Sequence, residues 1–325
     1  MPDASHQPVL RDAAIEALGV DPHGCYLDAT FGRGGHAQAI HALLASEGRL
    51  IAIDRDPHAV AFGRSLAWQR ADGLPAARVD LVQARFAQID AVLDRLEVTT
   101  LDGALFDLGV SSPQLDDPER GFSFRHDGPL DMRMDPSDGP TARQWLLQAG
   151  GEELIRVLRD LGEERHARAI ARAIQEHRER FGEEAFKGTA ELAALIRSVV
   201  RRKAPARGEA KDPATRSFQA IRMQVNQELE ELDAGLQQAS MRLAPGGVLA
   251  VISFHSLEDR RVKQFLARAS GAQARTDPIT GARDAQAWPF EAPRRVLPCM
   301  LEVRANPRAR SAVLRHARRR RGGGD

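Results

Sequence analysis

Three carboxylates and a run of glycines carry the chemistry open to this sequence. Asp28-Ala29-Thr30-Phe31-Gly32-Arg33-Gly34-Gly35-His36 follows the apolar run Cys25-Tyr26-Leu27. A strand that ends in a glycine turn and opens a helix lets the backbone approach a ligand where a side chain would collide. The helix start then offers free N–H groups to a polar or anionic portion of that ligand. Asp54 ends a second apolar run, RLIAID, 20 residues after Gly34. A carboxylate at that place can accept both hydroxyls of a ribose. The pattern is GxGG preceded by an acid, not a plain GxGxxG, and it fits a nicotinamide dinucleotide as well as S-adenosylmethionine.

Asp107 ends a further apolar run and opens Asp107-Leu108-Gly109-Val110-Ser111-Ser112-Pro113. Enzymes that methylate amino groups place an Asp or Asn here, followed by a turn whose acceptors hold the target NH2. An aromatic amine is a poor nucleophile because its lone pair is delocalised, so fixing its geometry makes the attack near-intramolecular. Asp107 and, in the turn, Ser111 and Ser112 are the candidates; a strand-capping Asp is the plainer alternative. Methylation at cytosine C5 would require a Cys nucleophile after this strand, and none is there. Cys25 and Cys299 read as small buried hydrophobes. The ten histidines show no paired Cys/His spacing, so no metal is expected.

These residues need a scaffold that brings strand ends together. Short apolar runs at 25–29, 49–54, 79–82 and 103–107 alternate with helical patterns at 37–45 and 59–68, which predicts βαβ units and a parallel sheet. A long stretch rich in Gly, Pro, Asp and Ser follows, from Leu108 to about Thr141. Residues 142–200 read as three consecutive helices, with Leu154, Val157, Leu158 and Leu161 on one face and Ala167, Ile170, Ala171 and Ile174 on the next. A long helix over 218–243 ends at Pro245-Gly246-Gly247, Val248–Phe254 is a fifth buried strand, and 257–269 is helical. Met300–Arg304 and Ala312–His316 are expected to pair as two closing strands. The expectation is an α/β fold: a Rossmann-like core of 1–140 and 214–318, an inserted helical subdomain at 141–213, and a disordered basic tail at 319–325.

Composition narrows the class. The chain has 325 residues, 42% of them hydrophobic and 28% charged, which excludes a disordered or fibrous protein. No run of 18 apolar residues exists, so no membrane span is expected, and Met1–Leu10 shows no secretory pattern. Two cysteines fit a reducing cytoplasm. The net charge of +1 hides an asymmetry: residues 294–325 carry ten Arg against Glu302 and Asp325, a net of +8, so the rest carries −7. Such an arm suits an anionic polymer such as nucleic acid, or is simply solvated.

Longer motifs make the pattern specific. DGALFDLGVSSPQLDDPERGFSFRHDGPLDMRMD (Asp102–Asp135), DATFGRGGH (Asp28–His36), ATRSFQAIRMQVNQELEEL (Ala214–Leu232) and VISFHSLEDRRVKQF (Val251–Phe265) occur in this order. Together with His6 and Pro8-Val9-Leu10 near one end and Asn306-Pro307-Arg308-Ala309-Arg310-Ser311 near the other, they resemble the bacterial 16S ribosomal RNA small-subunit methyltransferase H family. The resemblance implies S-adenosylmethionine-dependent methylation of the exocyclic N4 of a cytidine in the decoding centre. It implies cofactor contacts from Gly34, Gly35, His36, Asp54, Phe86, Asp107 and Gln114, with Phe86 stacking on adenine. Residues 270–295 and 183–211 match least.

A base inside folded RNA must be unstacked before its amine can react, and splayed bases stack on aromatics or Arg. Phe122 and Phe124 are candidates for that role, or else anchors of the loop. Asp131, Arg133 and Asp135, alternating with Met132 and Met134, line a pocket or form a salt-bridged loop. His255, after the fifth strand, orients the cytosine, accepts a proton, or is structural. Phosphate contacts are expected from Arg201, Arg202, Lys203, Arg207 and Lys211 and from Arg315–Arg321. The expected partner is 16S rRNA within the small ribosomal subunit, with no membrane; the oligomeric state stays open, a homodimer included. Two other readings stay open: a non-catalytic ribosome-assembly factor that keeps the cofactor fold, and a dinucleotide-dependent oxidoreductase.

Overall fold

Continuous apolar runs make strands that are buried on both faces, because successive side chains point to opposite sides of a sheet. A computed structural model describes residues 8–69, 73–203, 212–272 and 289–321. In chain order the elements are α1 (Arg11–Leu18), β1 (Cys25–Asp28), α2 (Gly35–His41), β2 (Arg49–Asp54), α3 (Pro57–Arg64), β3 (Arg78–Gln83), α4 (Ile89–Arg95), β4 (Leu101–Asp107), α5 (Ser112–Asp116), α6 (Ala142–Gln148), α7 (Gly151–Asp160), α8 (Ala167–Phe181), α9 (Thr189–Lys203), α10 (Thr215–Asn226), α11 (Glu228–Arg242), β5 (Leu243–Ser253), α12 (Ser256–Ala269), β6 (Arg294–Val296), α13 (Met300–Ala305) and β7 (Val313–Arg318). The sheet order is β3-β2-β1-β4-β5-β7-β6. β1 to β5 run parallel, while β7 is antiparallel to both β5 and β6. This is the expected α/β architecture with a mostly parallel, Rossmann-like sheet.

Alternation along the strands divides the core. Leu27, Ile51, Ile53, Phe106, Leu249 and Val251 point to one face, where Ile89 and Leu93 of α4, Leu232 and Leu236 of α11, and Val262 and Leu266 of α12 cover them. Tyr26, Leu50, Ala52, Leu105, Val248, Ala250 and Ile252 point to the other, under Leu18 of α1 and Ala37 and Ile40 of α2. Among the described residues no helix is long and apolar enough to cross a membrane.

The chain forms two compact units, Met1–Gly109 with Leu229–Asp325, and Val110–Glu228. The second is wider at both ends than the insertion expected at 141–213. Its core shows why: Leu130 and Met132 of the loop and Phe218 and Ile221 of α10 pack with Trp145, Leu158, Ile170, Ile174 and Ile196. Asn226, fully buried, donates to the Met132 carbonyl at 2.7 Å and accepts from the Met134 N–H at 2.8 Å. The loop from Leu108 also holds one short helix, α5.

Other elements differ from expectation. The helix expected over 218–243 is two helices, broken at Gln227, which caps α10 in the left-handed region (φ 52°). Residues 142–200 hold four helices, not three. Met300–Arg304 is helical: Cys299 Sγ accepts from the Glu302 N–H at its start, and the strand partner of β7 is Arg294–Val296. Cys299 is therefore exposed, and Cys25 half-buried, not the small buried hydrophobes expected. The arm is folded as far as Arg321, with Arg319 N–H donating to the Gly247 carbonyl (2.7 Å) and Arg320 N–H to that of Pro289 (2.8 Å). Residues 322–325 lie outside the described chain.

Candidate active site

In an open parallel sheet the carboxyl ends of neighbouring strands face one crevice, where ligands bind. Here β1, β2 and β4 end on Asp28, Asp54 and Asp107. Backbone and side-chain bonds weave those ends together. Ala29 N–H donates to the Leu105 carbonyl (2.9 Å) and Phe31 N–H to that of Ile53 (3.0 Å). Asp107 N–H donates to Thr30 Oγ1 at 2.6 Å, and Thr30 N–H donates to Asp28 Oδ1 at 2.9 Å. Thr30 therefore joins the exit of β1 to the exit of β4, a role that its position two residues after a strand-ending Asp signals in hindsight.

The glycine turn is built as its residue types require. Gly32 and Gly34 both sit at positive φ, 53° and 74°. A Cβ on Gly34 would lie 2.8 Å from the Phe31 ring, and one on Gly35 would lie 2.2 Å from Pro8 Cγ. At Gly32 the nearest atom to such a Cβ is 3.9 Å away, so that face of the turn is open. Asp54 holds the turn from below: Oδ2 accepts from Gly32 N–H at 2.7 Å and Oδ1 from Asp56 N–H at 2.8 Å. Each oxygen keeps a further lone pair for a hydroxyl. Burial pushes the Asp54 carboxyl up to about 6 against the pull of those two N–H groups.

Asp28 is fully buried, and burial raises its carboxyl from 3.8 to about 6 in spite of His36 nearby. Its Oδ2 and Asp107 Oδ1 are buried without a hydrogen-bond partner in the described chain. Unpaired buried carboxylate oxygens beside an open glycine turn fit a ligand that brings a cation and hydroxyls. The ammonium, sulfonium and ribose of S-adenosylmethionine offer that set. His36, in the first turn of α2, places Nδ1 3.4 Å from Asp107 Oδ2. Sequence reading placed His36 at the turn but missed this contact, which spans 71 positions.

A raised folded-state carboxyl costs stability once it ionises. The contribution of Asp28 is favourable below its unfolded value of 3.8 and is lost as pH climbs through about 6. The difference corresponds to about 3 kcal/mol. Asp28→Asn, which keeps an acceptor for Thr30, should therefore match the wild type near pH 4 and exceed it by up to that amount above pH 6. Urea unfolding at the two pH values reads this; equal stabilities at both would contradict it.

The remaining candidates fall in different places. Phe86 is half-buried, edge-on to Phe106 (5.2 Å, 76°), and a Cβ on Gly235 would come within 2.6 Å of its own Cβ, so its position is set by packing. His255 precedes α12; its Nε2 lies 2.9 Å from Oε1 of buried Glu258, whose Oε2 accepts from Phe254 N–H at 2.9 Å. Both His255 ring nitrogens are nevertheless buried without a hydrogen-bond partner among the described residues.

The second unit holds the others. Gln114 Oε1 accepts from Ser111 N–H at 2.9 Å and caps α5, which Ser112 opens. Phe122 is buried, and Phe124 packs edge-on against Phe218 at 4.7 Å, so both anchor the loop. Asp131 and Arg133 form a two-pronged ion pair, 2.8 Å on each prong, which is the salt-bridged alternative. Arg201 is exposed on α9. Arg207 and Lys211 lie outside the described residues, as do the side chains of Arg202 and Lys203.

Several of the arm's arginines, expected to contact phosphate over Arg315–Arg321, also make bonds within the fold. Arg315 pairs with Asp259 at 2.7 and 3.0 Å. Arg318 donates to the Gly246 carbonyl (2.6 Å), Arg319 to that of Met241 (3.1 Å) and Arg320 to that of Phe290 (3.0 Å).

Comparison with known proteins places the chain in a family. The chain is 51% identical over 318 residues to "Ribosomal RNA small subunit methyltransferase H" of Leptothrix cholodnii, covering 97% of this chain and 93% of that one. It is 49% identical over 322 residues to the protein of the same name from Burkholderia thailandensis, covering 98% of each. With the Thiobacillus denitrificans protein of that name the identity is 50% over 319 residues, again 98% of each. The family model described as the MraW methylase family matches residues 3–320, and the chain belongs to that family.

Proposed function

We propose that this chain transfers a methyl group from S-adenosylmethionine to the exocyclic N4 of a cytidine in the decoding centre of 16S rRNA, presented by the small ribosomal subunit. The relatives named above are small-subunit ribosomal RNA methyltransferases. The observation that carries the choice of an amine is Asp107: a carboxylate at the end of β4, tied to the glycine turn through Thr30, with one oxygen unpaired. When bound, S-adenosylmethionine supplies an electrophilic methyl group on sulfur.

The chain's own residues do the rest. Gly32 and Gly34 keep the turn bare, Asp54 accepts the ribose hydroxyls, and Phe86 offers a ring to the adenine. Asp107 accepts an N–H of the amine and so aims its lone pair. When the nitrogen takes the methyl group from sulfur it becomes cationic and strongly acidic, and its proton then passes to solvent, so Asp107 need only be an acceptor and no strong base is required of the chain. Turnover then rests mainly on positioning.

Small subunits from cells lacking the enzyme, incubated with methyl-labelled S-adenosylmethionine, should take up label in the RNA. Cofactor binding by calorimetry without label would instead favour the assembly-factor reading. No cofactor binding would overturn the assignment of the glycine turn.

A further inference from the structure

Asp28, His36 and Asp107 form a buried cluster whose members come from three elements. The His36 ring, 4% exposed, sits between the exits of β1 and β4. Its Nδ1 is 3.4 Å from Asp107 Oδ2, while the Asp107 backbone is held separately by Thr30 Oγ1. Asp107 is a quarter exposed, so it is the member of the cluster that reaches the crevice.

We propose that His36 is a positioning residue for the transfer: set between Asp28 and Asp107, its ring holds the Asp107 carboxylate in one orientation. This rests on the reading of Asp107 as the acceptor for the amine. A carboxylate on a strand end can turn about its side-chain bonds; a charged donor on one oxygen removes that freedom and shortens the list of poses open to the substrate.

Among the described residues the groups facing the ring are few. Asp107 approaches from β4, Asp28 from β1, and the Val9 backbone from the segment before α1. Asp54, on β2, lies one remove from the ring and feels both Asp28 and Asp56. Burial opposes a charged ring, but Asp107, by charge and hydrogen bond, together with Asp28, outweighs it and holds His36 above the usual histidine range.

His36→Leu should lower kcat about 100-fold, the size of effect expected when a reacting group is displaced by about 1 Å. His36→Asn, whose amide nitrogen falls near the place of Nδ1, should recover to within about tenfold of the wild type. The loss should persist in single-turnover rates at saturating cofactor, and so be separate from any change in cofactor affinity that follows from the place of His36 beside the glycine turn. Equal loss of kcat in both variants, or a loss that resides in cofactor affinity alone, would overturn the proposal.

A second readout is independent of turnover. With 13C-labelled histidine, the His36 resonance of the free protein should titrate above the usual histidine value, and Asp107→Asn should lower it. An unmoved titration would refute the coupling even if the variants unfold. A wild-type enzyme that transfers no methyl group would sink the amine-transfer reading instead, and a coupled titration would then show a cluster with no transfer to position, which also overturns the positioning role.

Discussion

Asp107→Ala should lower kcat about 1,000-fold, corresponding to roughly 4 kcal/mol of lost transition-state stabilisation. The truncation removes the acceptor at the end of β4 and leaves the buried His36 without its nearest carboxylate. Cofactor affinity should fall by only about tenfold, because the glycine turn and Asp54 remain. Asp107→Asn keeps an acceptor oxygen and should lose less, about 10- to 100-fold. Single-turnover rates with saturating cofactor separate the two effects. Normal turnover with normal cofactor affinity in the Ala variant would remove Asp107 from the mechanism.

The second large effect is at Gly34. A side chain there must adopt φ 74° and place its Cβ 2.8 Å from the Phe31 ring. The left-handed conformation alone costs about 1–2 kcal/mol for a residue with a Cβ, and more for a branched one. Phe31 cannot yield cheaply, since it is buried with Ile40, Leu50 and Ala37. Gly34→Val should therefore displace the turn and weaken S-adenosylmethionine binding more than about 100-fold. Calorimetry against the variant, with its far-ultraviolet circular dichroism confirming that it folds, is the check. Unchanged affinity would mean that the cofactor does not lie on this turn.

These expectations start from features that were readable without coordinates. Runs such as LIAI in β2 and VLAVI in β5 are apolar at every position, which suits strands covered on both faces. The glycine turn and Asp54 follow from residue type and spacing. What escaped the sequence depends on partners far apart in the chain. Gln227 breaks a helix without a glycine or proline. The Asn226 clamp on Met132 widens the second unit, and no local pattern announces it. Met300–Ala305 is too short for periodicity to separate helix from strand, and the Cys299 cap decides it. The arginines of the arm looked free because Asp259 lies 56 positions from Arg315.

The site shows the same division. Asp107 was legible as a strand end followed by a turn. Its neighbours were not: His36 and Thr30 reach it only because β1 and β4 are adjacent in the sheet, with Asp28 in register with Leu105. The aromatic residues of the loop illustrate the converse. Phe122 and Phe124 have the right chemistry for stacking on a base, but Phe122 is buried and Phe124 packs against Phe218 in the second unit's core.

The most direct test of the central claim is to locate the transferred methyl group. Small subunits from cells lacking the enzyme are treated with the purified protein and S-adenosylmethionine, and the RNA is digested and read by mass spectrometry against nucleoside standards. The account predicts one additional methyl group on N4 of a single decoding-centre cytidine, absent with the Asp107→Ala protein. A methyl group on cytosine C5, on a ribose hydroxyl or on a base without an exocyclic amine would contradict it.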